Sequence, residues 1–267
     1  MEQGIYNISF EEYKALDCIN ASYLKVLAEL PARAQLPWKD TPDMKFGRAL
    51  HCYVLDGKKE FYNQFAIIGV IDKRTKAGKE QYGAFVMENQ GKEIISHLEY
   101  GVIIKMHEAI MNHPFAKEIM AEGQPEGTVI WQDEATGLWC KARPDWHVPK
   151  YGAIYDLKTT KNADKWIFRS DMKYRKYWYS AAFYQEGLQI VTGQRYDFFA
   201  FIACEKVAPY RVEVYTLPDA YLEAGHRHIH HWLAKEVEYR KDGFWPHYKN
   251  PGADELPMDN YLEGEPE

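Results

Sequence analysis

The chain reads as an α/β protein of the α+β kind: a central mixed β-sheet flanked by helices, behind an N-terminal helical region. Three observations lead there. Residues 1–122 carry helix caps and apolar residues at four-residue spacing. From residue 123 the pattern changes to short runs rich in β-branched and aromatic residues, separated by turn signals. The run YDFFAFIAC at 196–204 is nearly all apolar, as a strand buried on both faces requires.

Taken in order, residues 8–30 read as helical. Ser9 stands before Glu11 and Glu12, Ser22 can cap residues 23–30, and Pro31 ends that stretch. A second helix includes residues 46–55, where Phe46, Leu50 and Val54 share a face and His51 lies just beside it. Residues 72–79 (DKRTKAGK) form a polar basic loop, and residues 79–122 are mostly helical. The segments 128–132 and 138–143 flank the turn DEATG and read as a hairpin. Residues 153–158 are a third strand, 174–191 a helix before Gly193, 196–204 and 210–216 two further strands, and 217–239 a terminal helix. Residues 1–250 are expected to form one domain, with 1–122 its mainly helical part and 123–250 its sheet and helices. Residues 251–267 are expected to be a loose acidic tail.

Composition narrows the class. A chain of 267 residues with 46% hydrophobic and 15% aromatic content suits a packed core. No apolar run approaches the roughly 18 residues of a membrane span, and no basic-then-apolar leader opens the chain, so a cytoplasmic setting is expected. Cys18, Cys52, Cys140 and Cys204 are scattered without a C-x-x-C pair, which fits reduced thiols better than a zinc ribbon or an iron–sulfur cluster. The formal charge is −6, yet the tail alone holds six acidic residues and no basic one, so residues 1–250 are formally neutral. Residues 158–176 carry seven Lys or Arg against only Asp164 and Asp171. A local field of that sign attracts phosphate whatever the net charge.

The chemistry concentrates in residues 143–160, RPDWHVPKYGAIYDLKTT. In strand 153–158 alternation puts Asp156 and Lys158 on one face and Tyr155 and Leu157 on the other. Asp145, at the end of the preceding strand, can converge on the same point. Two carboxylates can hold a hard divalent cation through oxygen, and an adjacent lysine can orient water and offset developing negative charge. That is the chemical minimum for cutting a phosphodiester. An isolated D-x-K is also compatible with a structural ion pair, since buried charges need partners.

These residues sit within a wider pattern that resembles the RecE-type exonucleases (exodeoxyribonuclease VIII) of the PD-(D/E)xK nuclease superfamily. The resemblance runs from about residue 4 to residue 239. It is carried by FGRALH at 46–51, TKAGKE at 75–80, residues 126–133, TG at 136–137, CKARPD at 140–145, DLKTT at 156–160, and the separation of Asp145 from Asp156. It implies a PD-(D/E)xK nuclease-like core. It implies Asp145 and Asp156 as metal carboxylates, the Leu157 carbonyl as a further ligand, Lys158 as the catalytic lysine, and His51 and Glu126 as additional groups at the metal. By themselves His51 reads as a packed or solvent-facing histidine and Glu126 as surface charge. The related Q-x-x-x-Y motif would fall on SAAFY at 180–184. Tyr184 fits it, with helix packing as the other reading, while Ser180 replaces the glutamine and Gln185 stands nearby.

The expected activity is a Mg2+-dependent exodeoxyribonuclease, with Mn2+ able to substitute. It would degrade one strand of linear double-stranded DNA, processively and 5′→3′. The resemblance also implies a homo-oligomeric ring around DNA ends, a RecT-type annealing protein as partner, no membrane, and a phage or prophage setting. An endonuclease on the same fold, or a decayed DNA-binding scaffold, are the alternatives. For DNA contacts the sequence offers Lys161, Lys165, Arg169, Lys173, Arg175 and Lys176, interleaved with aromatic residues. A second patch is Lys73, Arg74, Lys76 and Lys79. Ser22 resembles a 5′-phosphate-gripping position of lambda-type exonucleases, though a helix cap is the plainer reading. His226, His228, His230 and His231 lie together near the end. Only His226 and His230 share a helix face, and with no H-E-x-x-H pattern a packing or solvated role is expected.

Overall fold

The computed structural model describes residues 1–37, 39–125 and 127–248. Its centre is a five-stranded sheet in the order β10-β9-β8-β7-β4, where β4 is Gln124–Pro125, β7 Trp146–Val148, β8 Ala153–Thr160, β9 Phe198–Glu205 and β10 Val212–Thr216. β8 and β9 run parallel, from Ala153 opposite Phe198 to Thr160 opposite Glu205, and every other pairing is antiparallel. A parallel pair needs a crossover. Here it is made by α8 (Lys165–Tyr174) and α9 (Tyr177–Thr192).

Alternation along β8 sorts its side chains between two cores. Ala153, Tyr155 and Leu157 enter a core shared with α3 (Pro42–His51), α6 (His97–Asn112) and α7 (Pro114–Glu122). Ile154 enters the opposite core, with α2 (Ala21–Glu29), α8, α9 and the terminal helix α10 (Asp219–Asp242). The face of Ile154 is therefore also that of Asp156 and Lys158. α9 and α10 touch closely because Gly225 has no side chain: a Cβ there would stand 2.5 Å from that of Ala182.

The structure departs from the sequence reading at definite places. The helix expected over 8–30 is two, α1 (Phe10–Ala15) and α2. Between them Ile19 pairs with the strand β6 (Trp139–Ala142), and the buried Lys141 donates to the carbonyls of Tyr13 and Leu16 at 2.8 and 2.7 Å. A tertiary lysine thus terminates α1. Asn20, not Ser22, caps α2 by accepting from the Tyr23 N–H at 2.8 Å, and Ser22 lies exposed inside the first turn. Leu30 leaves the helix because Pro31 follows.

Within 79–122, expected to be mostly helical, the short strand β3 (Glu93–Ser96) pairs in parallel with β2 (Phe65–Ile68), which follows α4 (Lys58–Gln64). The basic loop at 72–79 is shorter than read, because Thr75 caps α5 (Lys76–Glu88) by accepting from the Gly78 N–H. The hairpin β5 (Thr128–Gln132) with β6 does form, but with β1 (Gly4–Tyr6) it makes a separate three-stranded sheet. Strand β7 was not foreseen. The helix expected over 174–191 is α9, starting after Lys176 with φ 51°, and α8 before it is a further helix that the sequence reading did not contain. The acidic tail expected at 251–267 lies outside the described residues.

Candidate active site

Asp145 lies one residue before β7. Since Trp146 pairs with Tyr155, Asp145 falls beside Asp156 in the register. The β7–β8 ladder has ended at that point, and the Asp145 carboxylate takes its place, accepting from the Leu157 N–H at 2.7 Å. His51, in the last turn of α3, reaches in from the other side of the sheet. Its Nε2 is 2.8 Å from the Leu157 carbonyl oxygen and its Nδ1 is 3.3 Å from Asp145 Oδ1. Leu157 thereby holds both groups through its backbone while its side chain is packed in the core.

Asp156 is 1% exposed. The Lys158 ammonium lies against its Oδ2, but among the described residues neither carboxylate oxygen accepts a well-formed hydrogen bond. A buried carboxylate so placed is costly unless it is neutralised or ligates a cation. The donor set fits a hard divalent ion: carboxylate oxygens of Asp145 and Asp156, with the Leu157 carbonyl adjacent. Burial raises the Asp156 pKa, helped by the Asp145 charge and opposed by Lys158. Burial would raise that of Asp145 as well, but His51, Lys158 and the Leu157 N–H outweigh it and hold it low. Burial works against the Lys158 charge, and the two carboxylates overrule it, keeping the lysine firmly protonated.

A second lysine joins this group that the sequence reading did not contain. Lys25, on the inner side of α2, donates to Ser180 Oγ on α9 at 2.7 Å. It stands 5.8 Å from the centre of the Tyr177 ring, over which Lys158 sits at 5.2 Å. Burial, reinforced by Lys158, lowers its pKa to about 7. The serine that replaces the expected glutamine is thus the partner of a lysine 155 residues away. No local signal could find it, since Lys25 on an amphipathic helix reads as a surface charge. Tyr184 is half-buried on α9 against the core. Glu126 lies outside the described residues.

The expected DNA contacts divide. Lys165, Arg169 and Lys173 recur every four residues along exposed α8, with Lys161 exposed before it and Arg175 and Lys176 after it at the turn into α9. Trp166 and Tyr174 are 64% and 87% exposed on the same helix, and the Arg169 guanidinium lies 5.5 Å from the Trp166 ring. This is a basic, aromatic surface following directly from the catalytic strand. The second patch is weaker. Arg74 is committed to Asp72 at 2.8 and 3.0 Å, Lys73 covers the Tyr82 ring at 3.4 Å, and Lys76 faces Glu80 at 4.0 Å.

A mixed sheet with two acidic residues and a lysine converging where β7 meets β8, flanked by helices on both faces, defines a PD-(D/E)xK nuclease, a class of divalent-metal-dependent phosphodiester hydrolases. Within that class, the chain belongs to the family described as a PDDEXK-like domain of unknown function (DUF3799), whose model matches residues 9–252. In three dimensions it is similar to a protein from Eubacterium rectale provisionally designated an exonuclease, with a TM-score of 0.60 and 16% identity over 96% of this chain and 98% of that one. An alkaline exonuclease from Laribacter hongkongensis aligns at a TM-score of 0.29 and 18% identity, covering 63% of this chain and 87% of that one. No curated protein matches the chain. No helix among the described residues is long and apolar enough to cross a membrane.

Proposed function

We propose that this chain is a Mg2+-dependent exodeoxyribonuclease that degrades one strand of linear double-stranded DNA, 5′→3′, leaving single-stranded DNA for recombination by annealing. The observation that carries the reading is the convergence of Asp145 and the unsatisfied carboxylate of Asp156 beside a protonated Lys158. Asp145, Asp156 and the Leu157 carbonyl would hold the ion. When bound, it neutralises a scissile phosphate and makes an attacking hydroxide accessible at neutral pH.

The protein groups do the rest. Asp145 is held by the Leu157 N–H and by His51, so its carboxylate does not swing. His51 reaches the Leu157 carbonyl as well, fixing the β8 backbone at the site. Lys158 presents an ammonium that orients water and offsets charge as it grows on the phosphate. Lys25 supplies a second ammonium beside Tyr177, suited to a phosphate oxygen next to the scissile one. The α8 surface would grip the DNA backbone, with Trp166 and Tyr174 able to stack on unpaired bases. The family likeness extends the proposal to Mn2+ as a substitute metal, a ring-shaped homo-oligomer that keeps hold of DNA between cuts, and a RecT-type annealing partner.

The experiment uses linear duplexes with a 5′-phosphate, labelled at one end or the other, and a covalently closed circle, all with Mg2+. Expected is progressive loss of the 5′-labelled end first and no cleavage of the circle. Cutting of the circle would make the protein an endonuclease, and binding of DNA without cleavage would make it a scaffold.

A further inference from the structure

Of the four α10 histidines, His228 packs on Trp178 and Tyr179 and His231 is exposed beside Trp232, whereas His226 and His230 turn toward one glutamate. His226 Nδ1 and His230 Nε2 both face Glu186 Oε2 on α9, at 3.1 and 2.9 Å. Asp133, at the end of β5, closes the group. Ligand atoms of Asp133, Glu186 and His230 all lie within 4.8 Å of one another. We propose that Asp133, Glu186 and His230 form the core of a second metal site, for a Zn2+-class transition-metal ion, which His226 joins from its place beside the same Glu186 oxygen and which clamps α10 to α9 and to the β5–β6 hairpin.

Three features favour a cation here. The first is charge. Asp133 and Glu186 are two carboxylates in close proximity, and among the described residues neither has a lysine or arginine partner. Asp133 is only 7% exposed, and one of its oxygens is tied to the Thr136 N–H and hydroxyl. Its Oδ1 accepts no hydrogen bond among the described residues.

The second is the orientation of His226. The buried Gln185 side-chain amide donates to the Tyr196 carbonyl, so its Oε1 must be the atom that faces His226 Nε2 at 2.7 Å. Nε2 therefore carries the hydrogen. His226 Nδ1 then faces the Glu186 carboxylate at 3.1 Å, an approach that either a proton on Nδ1 or a cation between the two makes favourable. A ring nitrogen donating outward to a fixed carbonyl while the other points inward is the usual setting of a metal-bound histidine.

The third is spacing and donor type. Ligands about 2.0–2.1 Å from a tetrahedral Zn2+ are about 3.3 Å apart, close to the two His–Glu separations. Imidazole nitrogens with carboxylates suit Zn2+, Co2+ or Ni2+ rather than Mg2+, which demands oxygen. The site is thus chemically distinct from the Asp145–Asp156 centre. It rests on none of the nuclease reading.

The test uses the full-length protein, stripped with a chelator and returned to excess Mg2+. It is titrated with Zn2+, and with Co2+ whose visible absorption reports tetrahedral nitrogen and oxygen ligands. Binding of a single ion is expected in wild type and in the Asp145→Asn/Asp156→Asn variant, with a rise in melting temperature on adding Zn2+. The His226→Gln/His230→Gln variant should lose both the Co2+ spectrum and the melting shift. Gln185→Leu should weaken binding by about 10- to 100-fold, as loss of an outer hydrogen-bond partner does. Circular dichroism and Mg2+-dependent DNA cleavage check that the histidine variant is folded. If wild type binds no Zn2+ or Co2+ under excess Mg2+, or if the bound ion disappears with Asp145 and Asp156 but survives without His226 and His230, the second site does not exist.

Discussion

Two ionisable clusters touch α9, one through Tyr177 and Ser180 and the other through Glu186, and they are built on opposite principles. At the β8 centre, carboxylates and a lysine are buried and crowded, and Asp156 accepts no well-formed hydrogen bond among the described residues. Between α9 and α10, a glutamate is shared by two histidines, one of them largely exposed, and a glutamine fixes the tautomer of the other. The first arrangement is left electrostatically unsatisfied at the point where a charged substrate and a hard cation would arrive. The second is held from its outer side by the Gln185 hydrogen bond to His226, as a site that holds a helix in place would be. A buried carboxylate with a raised pKa marks chemistry here, and outer hydrogen bonding marks support.

The largest effect that would separate them is loss of cleavage. Asp156→Ala or Lys158→Ala is expected to lower Mg2+-dependent degradation of linear duplex DNA by at least about 10²–10³-fold, with circular dichroism unchanged. Near-normal activity in either variant would remove the β8 centre from the mechanism. Glu186→Gln, by contrast, should leave cleavage close to wild type, and a comparable loss there would erase the distinction.

His51→Ala should be next, costing about 10- to 100-fold and appearing mainly as a higher Mg2+ requirement in a metal titration. If saturating Mg2+ does not recover most of the rate, His51 does more than orient Asp145 and Leu157.

A pH measurement sharpens the electrostatic side. Folding raises Asp156 from 3.8 to about 6, chiefly through burial. A carboxyl raised on folding stabilises the fold while protonated, below its unfolded value, and that stability is lost as pH rises through the folded value. Thermal melts in chelator are therefore expected to fall for wild type between about pH 4 and about pH 6.5. Asp156→Asn should flatten that fall, and Mg2+ should offset it in wild type alone. Parallel curves for wild type and variant would mean that Asp156 is not strained in the metal-free fold.

The smallest effects belong to the DNA surface. Replacing Lys165, Arg169 or Lys173 by alanine should weaken binding similarly for all sequences and reduce the slope of log affinity against log salt by about one per residue. Lys25→Ala should behave likewise in binding but also slow cleavage, because it sits beside Tyr177 and Lys158. An unchanged salt slope across the α8 variants would move the DNA path elsewhere.

Much of the β8 centre was legible because its information is local. Asp156 and Lys158 are two residues apart on one strand, so alternation puts them together, whereas Asp145 reaches them through β7, which the sequence reading lacked. The apolar run of β9 declared itself in the same way, by the absence of any polar face. The errors occurred where a distant partner decides. Lys141 breaks the helix of 8–30 from the far side of the chain, and β3 exists because β2 lies beside it. The clustering of His226 and His230 was visible, yet their meaning was not, because Glu186, Gln185 and Asp133 come from other elements.

The sequence by itself determined the class of the fold, the strand that carries Asp156, the lysine beside it and the basic stretch after them. All of these follow from the two-residue period of a strand or the 3.6-residue period of a helix. Only the tertiary structure decided that His51 meets Asp145, that Lys25 finds the serine at 180, and that Glu186 gathers two histidines and an aspartate. Those meetings depend on how helices pack across the sheet, where residues far apart in the chain are brought within hydrogen-bonding distance and no period in the sequence records the distance.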